Sequence, residues 1–219
     1  MLYALAHPLV RFLAWIFFRL KVIGEENVPR TGGVIVAANH NSYLDIPLLG
    51  CALTRRADNI AKAELFGNRF VAAIFRTLGG FPVQRGDRGD RGAVEEAVRR
   101  LRKGHLLALY PEGRRSPDGR LLSPKPGIGM LVARTRVPVV PVYIDGTGKA
   151  LPPGQRSIRR ARVTITFGKP IDFGGRHLDQ EAETGVEKKG AGGNRKEVYL
   201  EIAEEIMRQI GALRPDPEA

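Results

Sequence analysis

A histidine followed five residues later by an aspartate, in Asn39-His40-Asn41-Ser42-Tyr43-Leu44-Asp45, is the pair in this sequence best suited to acid–base chemistry. A carboxylate bonded to one imidazole nitrogen leaves the other free to take a proton from a hydroxyl. Inside one helix the two side chains would stand about 140° apart and could not meet. They meet only if His40 lies just before a helix and Asp45 lies in its first turn, because helical side chains tilt back toward the N-terminus. Ser42 is a good N-cap, and Ser42-Tyr43-Leu44-Asp45 has the spacing of a capping box. A second reading also fits the spacing: Asp45 only caps the helix, and His40 is a loop residue.

Other polar groups gather at strand ends. Tyr110-Pro111-Glu112-Gly113-Arg114-Arg115-Ser116 follows an apolar stretch, 105–110, that reads as a buried strand. In α/β sheets such ends are where ligands bind. Arg115 offers a fork of donors that fits a phosphate; the following Ser116-Pro117-Asp118-Gly119 equally suits a charged turn. Arg85, after Phe81-Pro82-Val83, is similarly placed, with plain solvent exposure as its alternative. No Gly-x-Ser-x-Gly elbow is present for a serine nucleophile. The four histidines are scattered and Cys51 is the sole cysteine, so the sequence offers no metal cluster and no internal disulfide. Cys51 sits in the apolar run 46–53 and reads as a buried core residue, which together with the missing disulfide points to a reducing, cytosolic-side location.

These residues need a scaffold. Short apolar runs at 33–38, 59–61, 80–83, 105–110 and 137–144 read as strands, and 161–167 alternates as a half-buried strand should. Amphipathic stretches at about 42–53, 68–77, 90–103 and 128–135 read as helices. The polar, glycine-rich stretch 172–195 reads as a surface loop, followed by a closing helix from 194 or 195 to 213 with Val198, Ile202, Ile206 and Ile210 on one stripe. Alternation of this kind argues for an α/β domain, here covering 22–219.

Residues 1–21 differ from the rest. The run 2–20 is strongly apolar, yet Arg11, Arg19 and Pro8 interrupt it, so it falls short of a membrane span. His7, Arg11, Trp15 and Arg19 share one helical face, with Leu, Val, Phe, Ile and Ala elsewhere. That pattern suits an amphipathic helix lying in a membrane interface; docking on the protein's own core is the alternative, and one helix can do both. The formal net charge of +12 attracts polyanions, including anionic headgroups and phosphorylated substrates. A nucleic-acid binder would interleave aromatic and basic residues on one surface. Here the aromatics concentrate in the N-terminal segment and the strands, so nucleic acid is not the expected partner.

Four ordered segments resemble the glycerolipid acyltransferases, specifically 1-acyl-glycerol-3-phosphate acyltransferases. They are Asn39-His40-x4-Asp45, Gly80-Phe81-Pro82-Val83-Gln84-Arg85, Tyr110 to Ser116, and Val137-Pro138-Val139-Val140-Pro141-Val142. Ala61-Lys62-Ala63-Glu64-Leu65 and Lys125-Pro126-Gly127 also stand where the family has similar residues. The likeness runs from about 22 to 170 and implies a central mixed β-sheet flanked by helices. It further implies transfer of a fatty acyl group from acyl-CoA or acyl carrier protein to a lysophospholipid hydroxyl, at the cytoplasmic face of the cell membrane, without a cofactor. On this footing His40 is the general base and Asp45 its orienter. Arg85, Arg115 and Lys125 hold the acceptor's phosphate, with Glu112, Gly113 and Ser116 in the same substrate-binding set. Gln84 stands where relatives often carry an acid, and Arg114 where they usually carry Thr, so the acceptor is less constrained than the chemistry. A sibling enzyme acting on another lyso-lipid is the alternative.

Overall fold

The computed structural model describes residues 11–62, 67, 72, 79–83, 87–155, 157–174 and 192–215. Seven strands form one sheet: β1 (Lys21–Ile23), β2 (Val34–Ala38), β3 (Ala57–Lys62), β4 (Gly80–Val83), β5 (Leu106–Leu109), β6 (Val139–Asp145) and β7 (Thr164–Phe167). Their order is β1-β7-β6-β2-β5-β3-β4. β2 to β6 run parallel, while β7 pairs antiparallel with β6 and carries β1 alongside it. The sheet is therefore mixed, as expected.

The central strands are apolar throughout because both faces are covered. Val34, Val36 and Ala38 of β2 pack on one side with Val140, Val142, Leu48 and Leu49. Ile35 and Ala37 point to the other side, into a cluster with Leu101, Leu131, Val132, Ile202 and Ile206. The first layer comes from the helix over 11–18 (α1) and from α2 (Asp45–Ala52). The second comes from α3 (Asp87–Arg102), α4 (Gly127–Thr135) and α6 (Gly192–Ala212); α5 (Thr147–Ala150) is a single turn after β6. The stripe read on the closing helix is the buried one: Ile202, Ile206 and Ile210 are core, and Val198 packs against them. α4 and α6 approach so closely that a Cβ on Gly129 would lie 1.9 Å from the Tyr199 carbonyl oxygen. No larger residue fits there.

Several boundaries differ from those read in the sequence. α2 begins at Asp45 rather than Ser42, and its N-cap position is Leu44, without a side-chain cap bond. α3 begins three residues before Asp90. β7 covers only the last four residues of the expected 161–167 strand. β1 was not foreseen, since three residues are too few to show an alternation. The helix expected over 68–77 lies outside the described residues except for Ala72, which is helical and buried, as does 175–191 of the expected loop.

α1 docks on the protein's own core through one face and leaves an apolar face outward. Ala14 and Phe18 are buried against the core, and Arg11 pairs with Glu25 at 3.0 Å. Phe12, Leu13, Trp15, Ile16 and Phe17 are exposed, Trp15 by 60%. No helix among the described residues is long and apolar enough to cross a membrane. Cys51 is a free, buried core thiol, as read, and burial raises its pKa.

Candidate active site

β2 ends at Ala38, and the chain then turns outward at the carboxyl edge of the sheet. Asn39 holds this exit by imitating a strand neighbour. Its Nδ2 donates to the Ile144 carbonyl at 3.0 Å, and its Oδ1 accepts from the Ile144 N–H at 2.7 Å. The β2–β6 ladder is thereby extended one step by a side chain, and His40 leaves from a fixed point.

His40 and Asp45 meet as the pre-helix geometry requires. Nδ1 of His40 lies 2.8 Å from Oδ2 of Asp45. The same oxygen accepts the backbone N–H groups of Asn41 at 2.7 Å and Ser42 at 2.8 Å. Asp45 is 0% exposed, so these donors replace the water lost from Oδ2, while Oδ1 is buried with no partner among the described residues. An acceptor-only oxygen opposite Nδ1 fixes the tautomer with the proton on Nδ1. Nε2 then carries the lone pair and makes no hydrogen bond among the described residues. The two readings of the spacing turn out to be compatible. Asp45 reaches back to Ser42 N–H, as in half a capping box, and the same carboxylate orients His40. Ser42 does not cap: its hydroxyl donates to the Leu151 carbonyl at 2.9 Å and accepts from Leu44 N–H at 3.2 Å.

The loop after β5 clamps His40 from both sides. Oε1 of Glu112 accepts the His40 N–H at 3.2 Å, and the Ser116 N–H donates to the His40 carbonyl at 2.7 Å. Oε2 of Glu112 takes the Leu122 N–H at 3.3 Å. Glu112 is only 2% exposed, and with both oxygens occupied it acts as a strut behind the histidine. Desolvation drives its pKa up to about 7, against the lowering effect of its backbone hydrogen bonds; the charge of Asp45 adds to the rise and that of Arg114 opposes it. Ser116 is likewise buried, and its hydroxyl donates to Asp118 at 3.1 Å.

Two aromatic shelves complete the site. The His40 ring stacks on Tyr110, with centroids 4.2 Å apart and planes inclined by 26°. The Tyr110 hydroxyl is buried without a partner, and burial, helped by the Asp45 charge, lifts its pKa well above the ordinary tyrosine range. The Arg115 guanidinium lies 3.6 Å above the ring of Tyr43, which holds the fork flat at the surface. Gly113 has a φ of 67°, and a Cβ there would meet Lys125 Cδ at 2.9 Å. The lysine chain thus crosses directly over the glycine, and Lys125 N–H donates to the Pro111 carbonyl at 2.9 Å.

Of the residues singled out in the sequence, His40, Asp45, Glu112, Gly113, Arg115, Ser116 and Lys125 lie together at this edge. Arg85 and Gln84 lie outside the described residues. Arg114 is exposed. Sequence reasoning missed Asn39 as the β2–β6 clasp and Tyr43 and Tyr110 as shelves. The last two sit inside motifs that were quoted, but a shelf has no spacing signature of its own.

Comparison with known proteins bears on this arrangement. The Acyltransferase family model matches residues 19–145, from just before β1 to the end of β6. The chain is 34% identical over 158 residues to a chloroplastic 1-acyl-sn-glycerol-3-phosphate acyltransferase of Arabidopsis thaliana, covering 71% of this chain and 44% of the relative. It is 25% identical over 153 residues to the 1-acyl-sn-glycerol-3-phosphate acyltransferase of Bacillus subtilis, covering 69% of this chain and 73% of the relative. The chain thus spans less than half the length of the chloroplast relative. The crystal structure of the 1-acyl-sn-glycerophosphate acyltransferase of Thermotoga maritima superposes with a TM-score of 0.66 at 29% identity, covering 98% of this chain and 83% of that one. With more than half of its residues inside the matched segment, and with the His40–Asp45 pair and its clamp within it, this chain belongs to the Acyltransferase family.

Proposed function

We propose that this protein moves a fatty acyl group from a thioester, on coenzyme A or acyl carrier protein, to the free hydroxyl of 1-acyl-glycerol-3-phosphate, giving phosphatidic acid. The observation that carries this reading is the His40 ring, fixed at Nδ1 by a fully buried carboxylate and with no hydrogen bond at Nε2 among the described residues. Nε2 takes the acceptor's hydroxyl proton as its oxygen attacks the thioester carbonyl. Collapse of the tetrahedral intermediate breaks the C–S bond, and the departing thiolate receives the proton from the imidazolium. No covalent acyl-enzyme is needed. Arg115, laid flat on Tyr43, and Lys125, crossing Gly113, bind the acceptor's phosphate, joined by Arg85. Glu112, Gly113 and Ser116 shape the loop that carries them.

The substrates are membrane lipids, and the exposed apolar side chains of α1 give the protein a way to meet them. Phe12, Leu13, Trp15, Ile16 and Phe17 face outward, and the Arg160 guanidinium lies 5.9 Å from the Phe17 ring centre, at the level where headgroups would sit. A net charge of +12 favours the anionic cytoplasmic leaflet.

Purified protein assayed on vesicles against a panel of lyso-lipids, with both thioester donors, tests the reading. Transfer should be fastest to 1-acyl-glycerol-3-phosphate; preference for a lyso-lipid with another headgroup would reassign the acceptor, and no transfer from either thioester would end the proposal. Arg115→Ala should raise the acceptor KM about 10- to 100-fold with little change in kcat. An unchanged KM would remove Arg115 from the phosphate site.

A further inference from the structure

A cavity of about 310 Å³ flanks the His40–Asp45 pair on the β6 side, and the chemistry described so far makes no use of it. It lies at the carboxyl ends of β2 and β6, between the Ser116–Gly119 turn and the segment 145–153. Asn41, Ser116, Asp145, Gly148, Lys149 and Arg214 are among its walls. Neither Arg115 nor Lys125 lines it, so it is separate from the cationic patch assigned to the acceptor's phosphate. Its size is at the lower end of the ~300–1,000 Å³ typical of small-molecule sites.

Asn41 links this cavity to the base. It follows His40 directly, about 3.8 Å away between Cα atoms, and its backbone N–H donates to the same Asp45 oxygen that His40 faces. Asn41 is 9% exposed, and its Oδ1 is buried with no donor among the described residues. Asn41 lines the cavity, and a buried acceptor left unpaired in a native fold calls for a donor, which a ligand's N–H or O–H in the cavity would supply. The charges select further. Asp118 and Asp145 balance Lys149 and Arg214 around the walls, so a bare phosphate entering here would meet two carboxylates. A neutral chain rich in amides meets no such repulsion and supplies the donor that Asn41 lacks.

We infer that this cavity receives the pantetheine arm of the thioester donor, with an amide N–H of the arm donating to Asn41 Oδ1. The inference rests on the acyl-transfer reading above. Coenzyme A and acyl carrier protein both present this arm, and both end it in the thioester that must reach His40. The acceptor then approaches from the Arg115 and Lys125 side, and the two substrates flank the base.

Two variants test this, with wild-type transfer from acyl-coenzyme A and acyl-acyl carrier protein measured first. Failure of that first assay counts against the acyl-transfer reading; everything after it concerns the cavity alone. Asn41→Ala should raise the donor KM about tenfold and leave the acceptor KM in place. Gly148→Leu fills the space beside Asn41, since even a Cβ there would stand 3.7 Å from the Asn41 Cβ, and should act likewise. Where both donors serve, the rise must appear with both. On the wild-type protein, free pantetheine should inhibit competitively against the donor and not against the lyso-lipid, a measurement that needs no variant to fold. A rise in acceptor KM as large as that in donor KM, no change in either, or pantetheine inhibition competitive with the lyso-lipid would each overturn the proposal.

Discussion

Among the described residues there are two His–Asp pairs, and their hydrogen bonds are indistinguishable in length. His40 Nδ1 lies 2.8 Å from Asp45 Oδ2 at the carboxyl edge of the sheet; His105 Nδ1 lies 2.8 Å from Asp58 Oδ2 at the opposite edge, where β3 and β5 begin. What differs is the second partner of each carboxylate. Asp45 is fully buried and, among the described residues, faces only N–H dipoles beside the histidine, with no cation paired to it. In the proposed mechanism its whole negative charge is available to stabilise the imidazolium formed on His40. Asp58 is already neutralised by Arg100, whose Nη1 lies 2.8 Å from the same oxygen that His105 contacts. The His105 side chain is 47% exposed, so water competes for it. A short His–Asp contact is therefore no mark of a base in itself; what sets the proposed base apart is the uncompensated carboxylate behind its ring.

Substituting the two histidines tests this most severely. His40→Ala should lower kcat by about 10⁴-fold while the protein stays folded, because general-base catalysis and its oriented charge disappear together. His105→Ala should leave kcat within about twofold and cost no more than about 1 kcal/mol of stability, the scale of one exposed hydrogen bond. Comparable losses from both would show that the second pair also takes part. The aspartates give a smaller and subtler contrast. Asp45→Asn removes the charge but not the volume, and kcat should fall roughly 10³-fold with KM little altered. Asp58→Asn leaves Arg100 with less compensation, so its effect belongs in stability, about 1–2 kcal/mol or roughly 3–8 °C in melting temperature, with turnover intact. Melting curves and steady-state rates on the same preparations separate the two outcomes.

Why the sequence favoured one pair over the other is instructive. His40 and Asp45 are five residues apart, so local geometry alone specifies the condition for their meeting, and Asn39 to Asp45 fulfils it. His105 and Asp58 are 47 residues apart and meet only because β3 pairs with β5, a tertiary fact with no local trace. The same distinction runs through the fold. The central strands β2, β5 and β6 and the stripe of α6 are legible because burial imposes a run or a period on them. The three-residue β1 and the single-turn α5 are held by neighbours and carry no pattern long enough to read. In the site, charged residues at strand ends could be picked out one by one. The inward strut role of Glu112 could not, because it follows from how the loop after β5 folds back over His40.

Glu112 supplies the smallest and most specific contrast, since it adds a buried titrating carboxylate to the His40 side. Its pKa in the folded protein is about 7, raised chiefly by desolvation, against an ordinary 4.5. A carboxyl raised on folding binds more protons in the native than in the unfolded state between these values, so its contribution to stability is complete below about pH 4.5 and is lost as pH rises through 7. Glu112→Gln cannot ionise and should not show that loss. The melting temperature of the variant relative to wild type should therefore rise between pH 4.5 and 7, by on the order of 5 °C, and level off above. The glutamine also has only one acceptor oxygen for the His40 and Leu122 N–H groups, so kcat should fall about tenfold while the acceptor KM holds. A variant whose stability tracks wild type at every pH would mean that Glu112 keeps an ordinary pKa. A rise in acceptor KM without loss of kcat would make Glu112 a substrate ligand instead of the strut that holds His40 to its loop.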